Sequence, residues 1–349
     1  MANPEKTTKT APGVLEARLY EKRSGDEVNC LLCSFRCRIK EGRRGVCGVR
    51  ENRKGVLYTL VYGLLIAENI DPIEKKPLFH FLPSSSSYSM ATVGCNFRCL
   101  HCQNFDISQM PRDAKRIAGH EASPEEVVMK AASSGSASIA YTYTEPTIFF
   151  EFARATGLLA RRRGIKNVFV TNGYMTRECL DESREFLDAA NVDIKSFSDD
   201  FYKKVCGARL APVLESIEYM REAGIWVEVT TLIIPGYNDS EDELKSIAEW
   251  ISKTDKTMPW HISAFYPTYK LTDAPPTTSE TVVRAREIGI AEGLRYVYTG
   301  NIPGLKGEST FCYNCNKLLI ERRGFYVKEN VIKGSMCPYC GVIIDGVGL

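Results

Sequence analysis

The sequence lacks several things, and each absence narrows what the protein does. No apolar run approaches the roughly 20 residues that a membrane-spanning helix needs. Residues 1–12 are polar and carry no apolar core of the kind a secretory signal has, so a cytoplasmic location is expected. A surplus of one charge is missing too. Lys and Arg number 45 against 43 Asp and Glu, a net +2, which gives no general attraction for nucleic acid or an anionic membrane. The basic run Arg161-Arg162-Arg163 ends a helical stretch, where cations sit favourably against the helix dipole. There is no internal repeat. With 44% hydrophobic and 25% charged residues over 349 positions, the chain can bury a sizeable core as two or three domains or as one α/β barrel with additions.

Cysteine, by contrast, is plentiful. Thirteen cysteines in a reducing compartment, odd in number and tightly clustered, read as metal ligands rather than disulfides. They form three groups: Cys30, Cys33, Cys37 and Cys47; Cys95, Cys99 and Cys102; and Cys312, Cys315, Cys337 and Cys340. Cys179, early in a predicted helix, reads as core. Cys206, beside Gly207, reads as structural ahead of a substrate-side thiol.

Between the second and third groups, strand-like and helical runs alternate. Strands are predicted at residues 90–93, 138–144, 167–171, 191–195, 226–234, 260–265 and 295–298, several of them the continuous β-branched and aromatic runs of parallel strands covered on both faces. Ser123-Pro124-Glu125-Glu126 carries an N-cap, a proline at the first helical position and a glutamate placed to complete a capping box. Ser240 with Glu243 repeats that pattern, followed by an apolar stripe of Leu244, Ile247 and Ile251. Such alternation argues for right-handed crossovers and a parallel sheet or barrel, entered through a flexible connection at residues 83–87.

Gly94-Cys95-Asn96-Phe97-Arg98-Cys99-Leu100-His101-Cys102 follows the first predicted strand directly. Its C-x3-C-x2-C spacing supplies three thiolates from one loop. A [4Fe–4S] cube usually takes four protein ligands, so three leave one iron open to a small molecule. S-adenosylmethionine (SAM) needs such a site: its amino and carboxylate groups chelate the iron, and one electron then splits the sulfonium to release a 5′-deoxyadenosyl radical. Other readings fit less well. Zinc would want a fourth ligand, and His101 is too cramped between two cysteines to serve; a redox pair of Cys99 and Cys102 leaves Cys95 idle; buried structural cysteines would not cluster at a strand end.

On these residues, with Gln103-Asn104 after them, the sequence resembles the radical SAM superfamily near pyruvate formate-lyase activating enzymes. It is most similar to the AmmeMemoRadiSam enzymes, which are associated with AMMECR1 and Memo proteins. The likeness spans residues 30–346 and includes Cys47-Gly48-Val49-Arg50, Asp71-Pro72-Ile73-Glu74-Lys75-Lys76-Pro77 and Pro235-Gly236-Tyr237-Asn238-Asp239. It implies a partial (β/α)6 TIM-type barrel over residues 88–302, with reaction at the strand C-termini. A cysteine-rich lobe and linker would occupy residues 1–87, and a zinc-ribbon or rubredoxin-like module residues 303–349. The resemblance also implies SAM contacts for Thr144 and Glu145 after the second strand, Asn172 after the third, Asp193 and Lys195 after the fourth, and His101 beside the adenine. Thr144 stands where the family has glycine, Val170 where activating enzymes carry an acid, and the sixth strand ends in Phe265-Tyr266-Pro267 without their histidine. His261, further back, reads as a satisfied structural histidine. Apart from the resemblance, Glu145 reads as a helix N-terminal carboxylate, Asn172 as a turn former and Lys195 as a salt-bridged strand end.

The C-terminal cysteines form two C-x2-C knuckles 21 residues apart, with a predicted hairpin around Arg323-Gly324 between them. Zinc is the first choice for these four thiolates; a single rubredoxin-type iron or an auxiliary Fe–S cluster fits the same ligands. For the N-terminal C-x2-C-x3-C-x9-C set, zinc and an auxiliary [4Fe–4S] cluster are evenly matched. The expected function is SAM cleavage followed by hydrogen abstraction from a substrate, fed by a flavodoxin or ferredoxin, with activation of a glycyl-radical enzyme as the alternative. A zinc-ribbon nucleic-acid binder or an electron-transfer protein is the remaining alternative, and the former is disfavoured by the missing basic stripe.

Overall fold

The computed structural model describes residues 11–349, so most of the polar stretch 1–12 lies outside the described residues. Its centre is one eight-stranded sheet. In chain order the strands are β1 (Ala67–Pro72), β2 (Ser86–Ala91), β3 (Ser138–Tyr141), β4 (Lys166–Thr171), β5 (Ala189–Asp193), β6 (Trp226–Ile233), β7 (Trp260–Ala264) and β8 (Val297–Gly300). They lie side by side in that order. β1 runs antiparallel to β2, and every other pairing is parallel. The parallel crossovers use α1 (Pro124–Ser133), α2 (Phe150–Arg162), α3 (Arg177–Ser183), α4 (Ala211–Glu222), α5 (Glu241–Asp255) and α6 (Ser279–Ala291). This is the partial (β/α)6 barrel expected, completed by a last parallel strand and left open, since β8 and β1 share no ladder.

Two expectations shift. The first strand begins at Ser86, earlier than residue 90, because residues 86–89 pair with both β1 and β3. For the same reason residues 67–72, assigned to the N-terminal lobe and linker, are part of the main sheet. The 83–87 connection shrinks to a tight turn closed by the Ser85 amide donating to Leu82 O at 3.2 Å.

Local signals behave as the side chains dictate. Ser123 Oγ accepts the Glu126 amide at 3.2 Å and Glu126 Oε2 accepts the Ser123 amide at 2.6 Å, a complete capping box. At α5 only half of it forms. Ser240 Oγ caps the Glu243 amide at 3.3 Å, but the Glu243 carboxylate turns to Ser196 Oγ and the Phe197 amide, fixing the loop after β5. Leu244, Ile247 and Ile251 are fully buried beneath α5.

Residues 71–82 form a plug against the sheet near the amino ends of its strands. Glu228, fully buried in β6, accepts the Phe79 and His80 amides at 2.9 and 2.8 Å, and its Oε2 lies 2.6 Å from His261 Nε2. Asn191 Nδ2 donates to Pro77 O at 2.8 Å. The C-terminal module clamps the plug from outside through Arg322, which donates to Phe79 O at 2.9 Å and stacks over the Phe79 ring. That module is a three-stranded antiparallel sheet of Thr310–Phe311, Leu318–Arg323 and Tyr326–Asn330, and its hairpin turns at Gly324, φ +60°. His261 is thus the satisfied structural histidine expected.

Burial alone would raise the Glu228 pKa, but the hydrogen bonds from His261 and the Phe79 amide outweigh it and hold the carboxyl below its ordinary value. Burial lowers His80 to about 4, so it is neutral in the fold. Both folded-state pKa values are depressed, so both contributions are present at neutral pH and are lost in acid. The His80 contribution fades as pH falls from its unfolded value of about 6.5 towards 4. Glu228→Ala leaves two buried amides and a buried histidine unpaired and is expected to cost about 3–5 kcal/mol, read as a lower urea midpoint. A loss below about 1 kcal/mol, within the range of an ordinary surface change, would show that the plug is not held this way.

Candidate active site

The triad loop leaves the C-terminal end of β2. Gly94 turns it at φ +107°, and a Cβ there would lie 2.9 Å from Val49 Cγ1 and 3.5 Å from Cys47 O, so only glycine fits. The loop is tied down along its length. The Phe97 amide points at Cys95 Sγ (3.3 Å), and the Arg98 and Leu100 amides donate to Cys206 O and Val205 O at 2.8 and 3.0 Å. Cys102 Sγ lies 3.1 Å from Ser108 Oγ. Arg112 gathers the loop's carbonyls, donating to Cys95 O, Asn96 O and Phe97 O at 2.5, 3.2 and 2.7 Å, and to Val46 O of the N-terminal lobe at 2.9 Å.

One side of the site is a polar chain from β3 and β4. Glu145, 1% exposed, accepts Thr147 N, Thr147 Oγ1 and Thr171 Oγ1 through Oε1 and the Asn172 amide through Oε2, at 3.0, 2.5, 2.7 and 2.9 Å. It caps the helical turn Pro146–Phe149, and its carboxylate is committed to holding the end of β4. Asn172 Nδ2 donates to Asn96 Oδ1 at 2.7 Å and points at Cys95 Sγ from 3.8 Å, while its Oδ1 accepts the Tyr174 amide at 3.1 Å. Thr144 Oγ1 donates to Thr92 O at 2.8 Å; the left-handed residue of that turn is Tyr143, φ +62°, so Thr144 does not need glycine's freedom.

The other side comes from β5. Lys195 Nζ pairs with Asp193 Oδ2 at 2.9 Å. Burial would lower the lysine's pKa, but Asp193 and the Cys99 and Cys206 thiols prevail and hold it well above its ordinary value. A hydrogen bond from Cys206, helped by Lys195, keeps the Cys99 thiol below its usual range against burial, whereas burial pushes Cys95 and Cys102 up. His101 is 4% exposed and pushed down to about 3 by burial and Lys195, so its ring is neutral. His101 Nδ1 and Asn96 Nδ2 are buried without a hydrogen-bond partner among the described residues. Two orphaned polar atoms beside three convergent thiols fit a cluster and a polar ligand that complete the site.

The structure therefore brings Cys95, Cys99, Cys102, His101, Thr144, Glu145, Asn172, Asp193 and Lys195 to one end of the sheet. The C-terminal quartet lies elsewhere, packed with Phe79, Tyr296 and Tyr298. Cys179 is buried beneath α3 and Cys206 ends a π-helical turn, Tyr202–Cys206. Sequence reasoning missed Arg112 and Asn96. Neither residue announces itself, because carbonyl-gathering by an arginine leaves no spacing pattern.

An open sheet of β/α units thus carries a three-cysteine loop at the carboxyl end of β2, its first parallel strand. Residues 90–251 match the model of the Radical SAM superfamily. An uncharacterised Methanocaldococcus jannaschii protein is 50% identical over 95% of this chain and 98% of its own length. The Pyruvate formate-lyase 1-activating enzyme of Escherichia coli K12 is 25% identical over 56% of this chain and 85% of its own. Among solved structures, Streptococcus suis SuiB bound to S-adenosylmethionine aligns at TM-score 0.49 with 11% identity, covering 66% of this chain and 53% of that one. The chain belongs to the radical SAM superfamily. It is an enzyme, and the family's cofactors are a [4Fe–4S] cluster and SAM.

Arg112→Ala is expected to cost about 2–4 kcal/mol, since several charge-assisted hydrogen bonds to carbonyls are lost, and to lower the iron retained by anaerobically purified protein. Arg112→Lys, which cannot reach several carbonyls at once, should restore little. Wild-type iron retention in Arg112→Ala would remove this residue from the account.

Proposed function

We propose that the enzyme cleaves SAM reductively and uses the resulting radical to abstract hydrogen from a substrate. Cys95, Cys99 and Cys102 would hold the cluster, and the observation that carries this reading is their convergence on one pinned loop beside Lys195, Asn172 and His101. When bound, the cluster and SAM supply one-electron cleavage of the sulfonium and a hydrogen-abstracting radical. The protein's part is positional. Lys195, paired with Asp193, presents a fixed cation suited to a carboxylate, neutral His101 offers an unsatisfied ring nitrogen, and Asn96 offers an unsatisfied amide. Thr144 is anchored at this end of the sheet by its bond to Thr92 O. Glu145 acts through the Asn172 backbone as a positioning residue. Burial of these groups keeps water from the radical.

A flavodoxin or ferredoxin is the proposed electron donor, and a cytoplasmic location follows from the need for a reducing compartment. Among the described residues, no helix is long and apolar enough to cross a membrane. Hydrogen abstraction from a backbone glycine of a partner is the second reading, favoured by relatives named as activating enzymes, among them the Isethionate sulfite-lyase activating enzyme of Oleidesulfovibrio alaskensis at 27% identity. The AmmeMemoRadiSam resemblance instead points to AMMECR1- or Memo-like partners. Deuterium carried from labelled glycine in a partner into 5′-deoxyadenosine would select the first of these; its absence would favour the other.

The general reading is tested with anaerobically reconstituted protein, strong reductant and SAM. 5′-Deoxyadenosine and methionine are expected from wild type and none from the Cys95/Cys99/Cys102→Ala variant. Lys195→Gln removes one buried cation and is expected to reduce cleavage by about 10–100-fold. Product formation by the triple variant would defeat the assignment.

A further inference from the structure

The two flanking cysteine sets differ in a way that their sequences do not reveal. In the C-terminal quartet, Cys312 and Cys340 sulfurs are 3.7 Å apart, as are Cys315 and Cys337, and all four lie within 4.8 Å of one another. A single tetrahedral ion with bonds of about 2.3 Å holds its sulfurs about 3.8 Å apart. Among the described residues this quartet is the one group of His, Cys, Asp or Glu ligand atoms so tightly gathered. The N-terminal set is gathered more loosely. Cys30, Cys33 and Cys47 are buried and Cys37 half-buried, tied by the Cys30 amide donating to Cys37 O at 2.9 Å and the Val46 amide pointing at Cys37 Sγ from 3.5 Å. No three of their sulfurs fall within 4.8 Å of one another. A four-iron cube takes one thiolate per corner, so its ligand sulfurs stand farther apart than those around a single ion.

The set also lies hard against the triad. Cys47 O sits 3.5 Å from where a Gly94 Cβ would be, one residue before Cys95. Arg112 donates to Val46 O and to Cys95 O from one guanidinium. Across the lobe, the Ser34 amide donates to Tyr174 O at 3.0 Å and Thr176 Oγ1 to Leu31 O at 2.6 Å, joining the Cys30–Cys37 loop to the segment that carries Asn172. Arg50 points Nη1 at Cys30 Sγ from 3.7 Å and is itself buried against Glu151 of α2, so the Cys30 thiol faces a fixed cation.

We propose that Cys30, Cys33, Cys37 and Cys47 bind a second, four-iron iron–sulfur cluster, placed to exchange one electron with the triad's site, while the C-terminal quartet binds a single ion. In that exchange the second cluster, reduced by a low-potential flavin or iron–sulfur protein, loses one electron as the triad's site gains one, and no bond is made or broken. The ligand assignment rests on the lobe's own geometry and only the exchange rests on the SAM reading.

Acid-labile sulfide decides it, because a single zinc or iron ion carries none. Anaerobically purified full-length protein is expected to hold about eight sulfides, and the Cys95/Cys99/Cys102→Ala variant about four. Cys37→Ser, with the triad intact, should also fall to about four while one zinc or one sulfide-free iron remains at the C-terminal quartet. Sulfide near four in wild type and absent from the triad variant would overturn the proposal and leave the SAM reading standing. A Cys37→Ser total equal to wild type would overturn it as well. Sulfide unchanged by loss of the triad would instead sink the SAM reading and leave the lobe's cluster in place.

Discussion

A [4Fe–4S] cluster bound by three protein thiolates, as we propose for Cys95, Cys99 and Cys102, would have one iron short of a protein ligand, and the rest of this structure suits the demand that would create. An open corner is reactive, so the loop that carries it has to be held still and kept dry. Here the strand end supplies rigidity, Gly94 supplies the turn, and Arg112 and the π-helical turn at Tyr202–Cys206 take up the loop's carbonyls and amides. Glu145 illustrates how far that demand reaches. A fully buried carboxylate would ordinarily be costly, but four hydrogen bonds satisfy it, and the benefit appears at Asn172 beside Cys95.

Much of this was legible from the residues. Strand positions followed from continuous β-branched runs, because parallel strands are covered on both faces, and Ser123 capped its helix as its spacing dictated. The chemistry proposed for the triad rests on ligand number and spacing, which are local. The plug at residues 71–82 was legible only as a motif. Its partners Glu228, Asn191 and Arg322 lie more than a hundred residues away, and no periodicity links them. Strand edges slipped where pairing, rather than side-chain pattern, set them, as at Ser86. The Glu243 carboxylate left its own cap for the loop after Lys195, a tertiary choice that overrides a local one.

The cysteine sets show the same division between count and geometry. Four thiolates in sequence leave the metal undecided. The C-terminal sulfurs all lie within 4.8 Å of one another and no three of the N-terminal ones do, and the two sets pack differently: the C-terminal module reaches the plug through Arg322, and the N-terminal lobe meets the triad loop through Arg112.

The central claim is an iron corner that SAM itself completes. Electron paramagnetic resonance of the one-electron-reduced protein, recorded with and without SAM, addresses it directly, because direct ligation changes the cluster's electronic structure. The expected result is a cluster spectrum that shifts on SAM addition in wild type and is missing in the Cys95/Cys99/Cys102→Ala variant. A wild-type spectrum indifferent to saturating SAM would contradict it.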